Sequence, residues 1–372
     1  MYMYVTHTSY FYIYSIWYTS VMNIFDSIWE ILSYDLGMDL GTANTMVYLR
    51  GEGIVVSEPS VVAVDKRTKQ VLAVGQSARE MIGRTPANIV AVRPLRDGVI
   101  SDFDTTQAMI HHFIKSAHSN YIKGFKIPRP RVVVGVPSSV TEVERQAVID
   151  AAKTAGAREV FIVEESMAAA IGIGLPIEEA SGSMVVDIGG GTTGIAVLSL
   201  GDIVIDNTIR VAGDEMNQDI IDYVRDKYNI LIGERSAEDI KIEIGSAAPL
   251  KEEKEVVIQG RDLLAGLPKS IKLSSAEVRE AISVSLGQIT EAVKDAIEDT
   301  PPELLKDIFN DGIFVAGGGA LIRGLDKYWR EELNMPINIV DEPMAAVAKG
   351  TAKMLDHIDL LQRVQKSWEE IL

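Results

Sequence analysis

Ser183-Met184-Val185-Val186-Asp187-Ile188-Gly189-Gly190-Gly191-Thr192-Thr193-Gly194-Ile195-Ala196-Val197-Leu198 is the stretch that decides the fold. It is an apolar run closed by an aspartate, a glycine-rich turn with two threonines, and a second apolar run. β-Branched runs joined by glycines make a hairpin. A tight hairpin needs one or two glycines, not three with threonines behind them. Residues without Cβ let backbone N–H groups converge on one concavity and come close to an anion. The hydroxyls of Thr192 and Thr193 add donors. Asp187, at the end of the first strand, stands where a carboxylate holds a hydrated cation beside phosphates. The stretch reads as a phosphate-binding hairpin, against the plainer reading of a structural glycine turn.

Gly189, Gly191 and Gly194 also satisfy G-x-G-x-x-G. A dinucleotide fingerprint must open a helix, and Ile195-Ala196-Val197-Leu198-Ser199-Leu200 continues as a strand. G-x-x-x-x-G-K-[ST] is absent from the chain. The hairpin design occurs a second time in Leu36-Gly37-Met38-Asp39-Leu40-Gly41-Thr42-Ala43-Asn44-Thr45-Met46-Val47-Tyr48-Leu49, where Asp39 matches Asp187, Gly41 matches Gly189 and Thr45 matches Thr193. Two such hairpins imply two related halves closing on one nucleotide. A third cluster, Gly317-Gly318-Gly319-Ala320-Leu321, follows the apolar run Gly312–Val315. Its flat backbone suits a base or ribose, or alternatively a helix-entry turn.

Together these stretches resemble the superfamily of actin, heat-shock chaperones and sugar kinases. Flanking segments narrow the resemblance to the MreB family of bacterial actin-like proteins: Asp39–Thr45, Arg93-Pro94-Leu95-Arg96-Asp97-Gly98-Val99-Ile100, Glu164-Glu165-Ser166-Met167-Ala168-Ala169-Ala170, Ala212-Gly213-Asp214-Glu215-Met216 and Gly233-Glu234-Arg235. It runs from about Asp35 to the C-terminus. Ser166 departs from it, standing where the family usually has proline, and residues 1–21 match nothing expected.

Composition sets outer limits. A chain of 372 residues is long enough for two domains with real cores. Its formal net charge of −17 argues against a nucleic-acid binder. A local nest of amides with Mg2+ still overcomes that diffuse field for a nucleotide. Zero cysteines exclude disulfides and thiolate metal sites, and five scattered histidines lack metal-ligand spacing. His111-His112 reads as surface or half-buried rather than as a ligand pair.

The N-terminus carries no Lys or Arg before Arg50, which argues against a secretory signal. Tyr10 to Phe25 is aromatic and uncharged but too rich in Ser, Thr, Tyr and Asn for a convincing spanning helix. The reading is that translation starts at Met22; a membrane-associated tail and a spanning helix are the alternatives. In residues 23–33, Ile24, Phe25, Ile28, Trp29, Ile31 and Leu32 fall on one helical side, with Asn23, Asp26, Ser27, Glu30 and Ser33 on the other. Such a helix lies in a membrane interface or packs on its own protein. The resemblance favours a membrane anchor through Ile24, Phe25, Ile28, Trp29 and Leu32, working by apolar insertion, since the polar face lacks basic residues. Tyr121–Pro128 reads as a loop whose Phe125 either touches the membrane or tucks into the core.

Downstream, Ile54 to Val64 and Gln70 to Val74 read as strands of a small lobe. Thr105 to Ser119 and Thr141 to Ala155 read as helices, the latter capped by Ser138 or Ser139. Glu164-Glu165 ends the strand Val160–Val163, where ligands bind in α/β sheets. Glu165 is therefore placed for chemistry, or for capping a helix. Helices are expected at Asp214–Tyr228, Ser236–Ile244, Ala276–Glu298 with a Ser274/Glu277 capping box, and Ala345–Leu355. Strands are expected at Glu252–Gln259 and Leu267–Leu273.

The expected fold is α/β: an actin-like, ribonuclease-H-like pair of domains, each with an accessory lobe and with nucleotide in the cleft. The boundaries are 1–34 for the extension, 35–180 for domain I (lobe about 63–96), 181–346 for domain II (lobe about 217–279), and 347–372 for helices returning to domain I. ATP and Mg2+ are the expected cofactors. Thr42, Ala43, Asn44 and Gly189, Gly190, Gly191 and Thr192 would grip phosphates. Asp39 and Asp187 would hold Mg2+ through water, Glu165 would activate the attacking water and Thr192 would help place it. The resemblance implies that Glu238, Asp239, Ile240 and Lys241 contact adenine and ribose, beside Gly318, Gly319, Ala320 and Leu321. It also implies cytoplasmic filaments of the chain itself on the inner face of the cell membrane, cell-elongation proteins as partners, and a role in rod shape. A small-molecule kinase would need an acidic base over its acceptor, and no such insert is present. A chaperone would need a peptide-binding domain after the ATPase, where the chain ends at Leu372. A non-hydrolysing polymer would not need Asp39, Glu165 and Asp187 together.

Overall fold

A computed structural model describes residues 34–121 and 129–357. The expected amphipathic helix 23–33, the loop around Phe125 and the tail 358–372 lie outside the described residues. In chain order the strands are β1 (Asp35–Leu40), β2 (Asn44–Leu49), β3 (Gly53–Pro59), β4 (Val62–Asp65), β5 (Val71–Val74), β6 (Ile89–Val92), β7 (Leu95–Arg96), β8 (Val99–Ile100), β9 (Arg131–Val136), β10 (Glu159–Glu164), β11 (Ser183–Ile188), β12 (Thr193–Ser199), β13 (Asp202–Ile209), β14 (Ile230–Leu231), β15 (Glu255–Asp262), β16 (Pro268–Ser274), β17 (Ile313–Ala316) and β18 (Ile337–Ile339).

Two five-stranded sheets share one topology. The first is ordered β10-β9-β1-β2-β3 and the second β18-β17-β11-β12-β13. In each, the hairpin strands are antiparallel and the other two neighbours parallel. Register makes the duplication concrete: Leu40 pairs with Thr45 and Ile188 with Thr193. Each hairpin is therefore closed by a four-residue turn, and Asp39 and Asp187 each stand one residue before the last strand position. Two three-stranded sheets, β5-β4-β6 and β14-β15-β16, form the accessory lobes.

The apolar run from Ile54 is divided between two sheets. Pro59 supplies no N–H to extend the ladder, and Ser60 turns inward to donate to the Gly41 carbonyl at 2.6 Å. The helix Glu142–Thr154 is capped by Thr141, in a capping box with Glu144, not by Ser138 or Ser139. Ser138 instead bonds Asp206 at 2.8 Å across to β13. The expected long helix 276–298 is two helices, Ser275–Ala281 and Ser283–Glu298, separated at the buried Ile282 (φ −80°, ψ 0°). The Ser274/Glu277 capping box is present.

Each half has its own apolar core, and a third cluster joins them. That third cluster combines Val133, Phe161 and Val163 from the first sheet with Val185, Ala196 and Leu198 from the second. Between them run two small-residue helices, Glu165–Ile173 and Ala346–Met354. They touch backbone to backbone: a Cβ on Gly350 would sit 1.7 Å from the Ala168 carbonyl oxygen. This packing fixes Glu165 at the mouth of β10, between the two hairpins.

Candidate functional site

A cleft of about 470 Å3 opens between the halves. Both hairpin turns, the glycine cluster after β17 and the helix Glu234–Ile244 line it. Asp39, Glu165 and Asp187 line it and lie close enough together to feel one another's charge. Burial pushes Asp187 up to about 6. Burial, and then Asp187, push Asp39 up to about 8. Glu165 is raised well above the carboxylate range by burial and by both aspartates. Such a trio resists ionisation together unless a cation is present.

The glycine turn is held from behind. The Gly213 and Asp214 amides, at the start of the helix Gly213–Tyr228, donate to the carbonyls of Gly189 (3.2 Å) and Gly190 (2.8 Å). Because C=O and N–H point oppositely across a trans peptide, the following amides of Gly190 and Gly191 point away from that helix. The tips of the two turns meet: a Cβ on Gly190 would lie 2.7 Å from Ala43 Cβ, and one on Gly191 would lie 2.8 Å from Thr42 Oγ1. Bulk is thus excluded at both positions by the opposite half.

The third glycine cluster divides its labour. Gly317 has φ 79° and packs on Asp187 and Ile188, and Gly319 packs on Ile188; a Cβ at Gly318 would meet nothing within 4 Å. The segment Gly318–Leu321 is a 3-10 turn, not a flat loop.

Most expected site residues share the cleft: Thr42, Ala43, Asn44, Gly189, Gly190, Thr192, Glu238, Lys241, Gly318, Gly319 and Leu321, with Asp39, Glu165 and Asp187. Gly191, Asp239, Ile240 and Ala320 do not line it. On one helix, Glu238, Lys241 and Ile242 share a face at i, i+3 and i+4. Ile240 therefore joins the core, and Asp239 turns toward Arg79 and Arg235. Thr193, read as a phosphate donor, is fully buried and donates to the Val211 carbonyl at 2.7 Å. Residues missed include Gly98, Asp214, Arg323, Met46, Met216 and Met344. Gly98, Asp214, Met46 and Met216 sit in the stretches quoted above, and that was their only signal. The methionines have an apolar type shared by every core residue.

Lys241 Nζ donates to the Gly213 carbonyl at 2.5 Å. Burial pulls its ammonium below the ordinary lysine value, opposed by Asp214 and Glu238. One end of the cleft is thus anionic, and Leu321, Ile322, Ile242, Pro343 and Met344 make another part apolar.

Among the described residues no three His, Cys, Asp or Glu side chains form a metal cage. A magnesium ion that keeps its waters fits Asp39 and Asp187; a directly caged ion does not.

The family model described as MreB/Mbl protein matches residues 33–363. The chain belongs to the MreB/Mbl family. Among its MreB/Mbl relatives, the cell shape-determining protein Mbl of Bacillus subtilis is 49% identical over 88% of this chain and 98% of its own length. The cell shape-determining protein MreB of Escherichia coli K12 is 51% identical over 89% of this chain and 95% of its own. Among solved structures, MreB5 of Spiroplasma citri bound to ADP superposes with a TM-score of 0.83 at 40% identity, covering 90% of this chain and 98% of that one. A MamK double helical filament, at 23% identity and a TM-score of 0.74, shares the fold. The expected two-domain actin-like fold is therefore the fold of this MreB/Mbl-family chain.

Proposed function

We propose that this chain is an ATP-hydrolysing cytoskeletal protein that assembles into filaments on the inner face of the cell membrane and organises wall synthesis for rod shape. The observation that carries the reading is the convergence of Asp39, Asp187 and Glu165 in a cleft lined by both hairpin turns. ADP and AMPPNP occupy two solved structures of MreB5, which supports ATP as the ligand here. Division of the chain at about residues 180 and 346, with lobes at 63–96 and 217–279, belongs to the same reading. So do cell-elongation proteins as partners and the membrane helix at 23–33.

Phosphoryl transfer needs mainly positioning and charge stabilisation from the protein. The Gly189–Gly191 turn and the Thr42–Asn44 turn would hold the phosphates. Asp39 and Asp187 would hold hydrated Mg2+, which neutralises charge on the phosphoryl oxygens. Glu165 would align the attacking water and take up its proton at the carboxylate, with Thr192 beside it. Glu238 and Lys241 would face the ribose, and the apolar wall would face the base.

The test separates binding from chemistry. Glu165→Ala should bind ATP about as tightly as wild type but release phosphate ~10²-fold more slowly, the low range for a positioned acid or base. Normal phosphate release by that variant, with binding confirmed, would remove Glu165 from its role and leave Thr192 as the next candidate.

A further inference from the structure

The two halves are held together differently on their two sides. Deep in the molecule an apolar cluster drawn from both sheets joins them. At the mouth of the cleft the contacts are ionic. Arg79, on the short helix Gln76–Arg79 of the first accessory lobe, reaches Glu238 at 2.7 Å. Arg93, just after β6, reaches Asp214 at 2.9 Å and Glu234 at 2.9 Å. All three acids belong to the second half, on the helices Gly213–Tyr228 and Glu234–Ile244. Glu238 and Asp214 also line the cleft.

We propose that Arg79 and Arg93 form a latch across the mouth of the nucleotide cleft, positioning Glu238 and Asp214 on its wall and setting how fast bound nucleotide leaves. The proposal rests on the reading of the cleft as a nucleotide site. The partners lie 159 and 121 positions apart in sequence, and each contact bridges the two halves. The side chains of Arg79, Arg93, Glu238 and Asp214 are 24%, 18%, 17% and 26% exposed, and pairs so shielded are worth more than open surface bridges. The latch is continuous with the phosphate turn, because the amide of Asp214 donates to the Gly190 carbonyl. Opening Arg93 from Asp214 frees the helix end that holds that turn. Opening Arg79 from Glu238 frees the wall facing the ribose.

The chain has no cysteine, so spin labels on Glu80→Cys and Glu243→Cys, both exposed positions on opposite lobes, report the width of the mouth. The full chain is measured without nucleotide by pulsed electron paramagnetic resonance. Release of N-methylanthraniloyl-ADP with Mg2+ is followed by stopped flow. The Arg79→Gln/Arg93→Gln double variant should give longer, broader distances and release the probe at least ~10-fold faster, as expected for loss of charge-assisted contacts. The Arg79→Lys/Arg93→Lys pair keeps the charge but not the fork by which Arg93 reaches both acids, and should release it at a rate between those of wild type and the glutamine variant. Raising KCl from about 0.05 to about 0.5 M should move wild type toward the glutamine variant and leave that variant unchanged. An unchanged distance distribution in the nucleotide-free glutamine variant would overturn the latch. So would unchanged release with binding intact. Failure of wild type to bind the probe at all would contradict the nucleotide reading instead.

Discussion

Asp39 carries a cost when ionised, because it is buried beside Asp187. Its folded-state value is about 8 against an ordinary 3.8. Below the ordinary value both folded and unfolded chains hold the proton and the cost is nil. Between the two values the unfolded chain has released it and the folded chain has not, so stability falls as pH rises, and the loss is complete above about 8. Without metal or nucleotide, thermal stability should therefore fall from pH 6 to pH 8 relative to Asp39→Asn, and Asp39→Asn should melt higher than wild type at pH 8. Mg2+ with nucleotide should recover the wild type and do little for the variant. Calorimetry at both pH values checks this; a wild type that melts above Asp39→Asn at pH 8 without metal would contradict it. The shared placement of Asp39 and Asp187 in the cleft was legible in the sequence because an aspartate before a glycine turn recurs at both. Arg79 and Arg93 were not legible. Their partners are far away in the chain, and a charge does not announce which opposite charge it meets.

The helix Ala346–Met354 shows why small residues gather where two elements must touch. Replacing a helical glycine by alanine ordinarily gains about 1 kcal/mol of propensity. At Gly287, where an added Cβ would meet nothing within 4 Å, Gly287→Ala should stabilise by roughly that amount. At Gly350 the new carbon would overlap the Ala168 carbonyl oxygen, and overpacking of backbone should outweigh propensity, for a net loss of roughly 3 kcal/mol. Paired thermal melts decide it; equal behaviour of the two variants would mean that the helices separate freely. The membrane anchor proposed above belongs to a different stretch of the chain. Ile28→Glu with Trp29→Glu should abolish co-sedimentation with lipid vesicles while leaving nucleotide binding intact; unchanged co-sedimentation would move the anchor to the Phe125 loop or elsewhere. Periodicity located most helices and strands, because apolar spacing follows the buried face. It missed the division at Pro59–Ser60 and the bend at Ile282, where the apolar pattern continues through a change of direction that only the packing partner dictates.

Taken whole, the molecule is one topology used twice, with paired hairpins facing each other across the cleft and two small-residue helices as the spine. Sequence carried the duplication because the hairpins repeat in type and spacing. It did not carry the closure of the halves, which depends on surfaces that meet only after both have folded. In the proposed reading, closure on a nucleotide would change the outline that one copy presents to the next and so link the cleft to assembly. The decisive measurement is electron microscopy, with sedimentation alongside, of the purified full chain with ATP and Mg2+, with ADP, and without nucleotide, each with and without lipid vesicles. The account predicts nucleotide-dependent filaments that lie on the vesicles, and filaments of Glu165→Ala that form with ATP and persist longer than those of wild type. Monomers alone, across a broad range of protein, salt and Mg2+ concentrations, would contradict it.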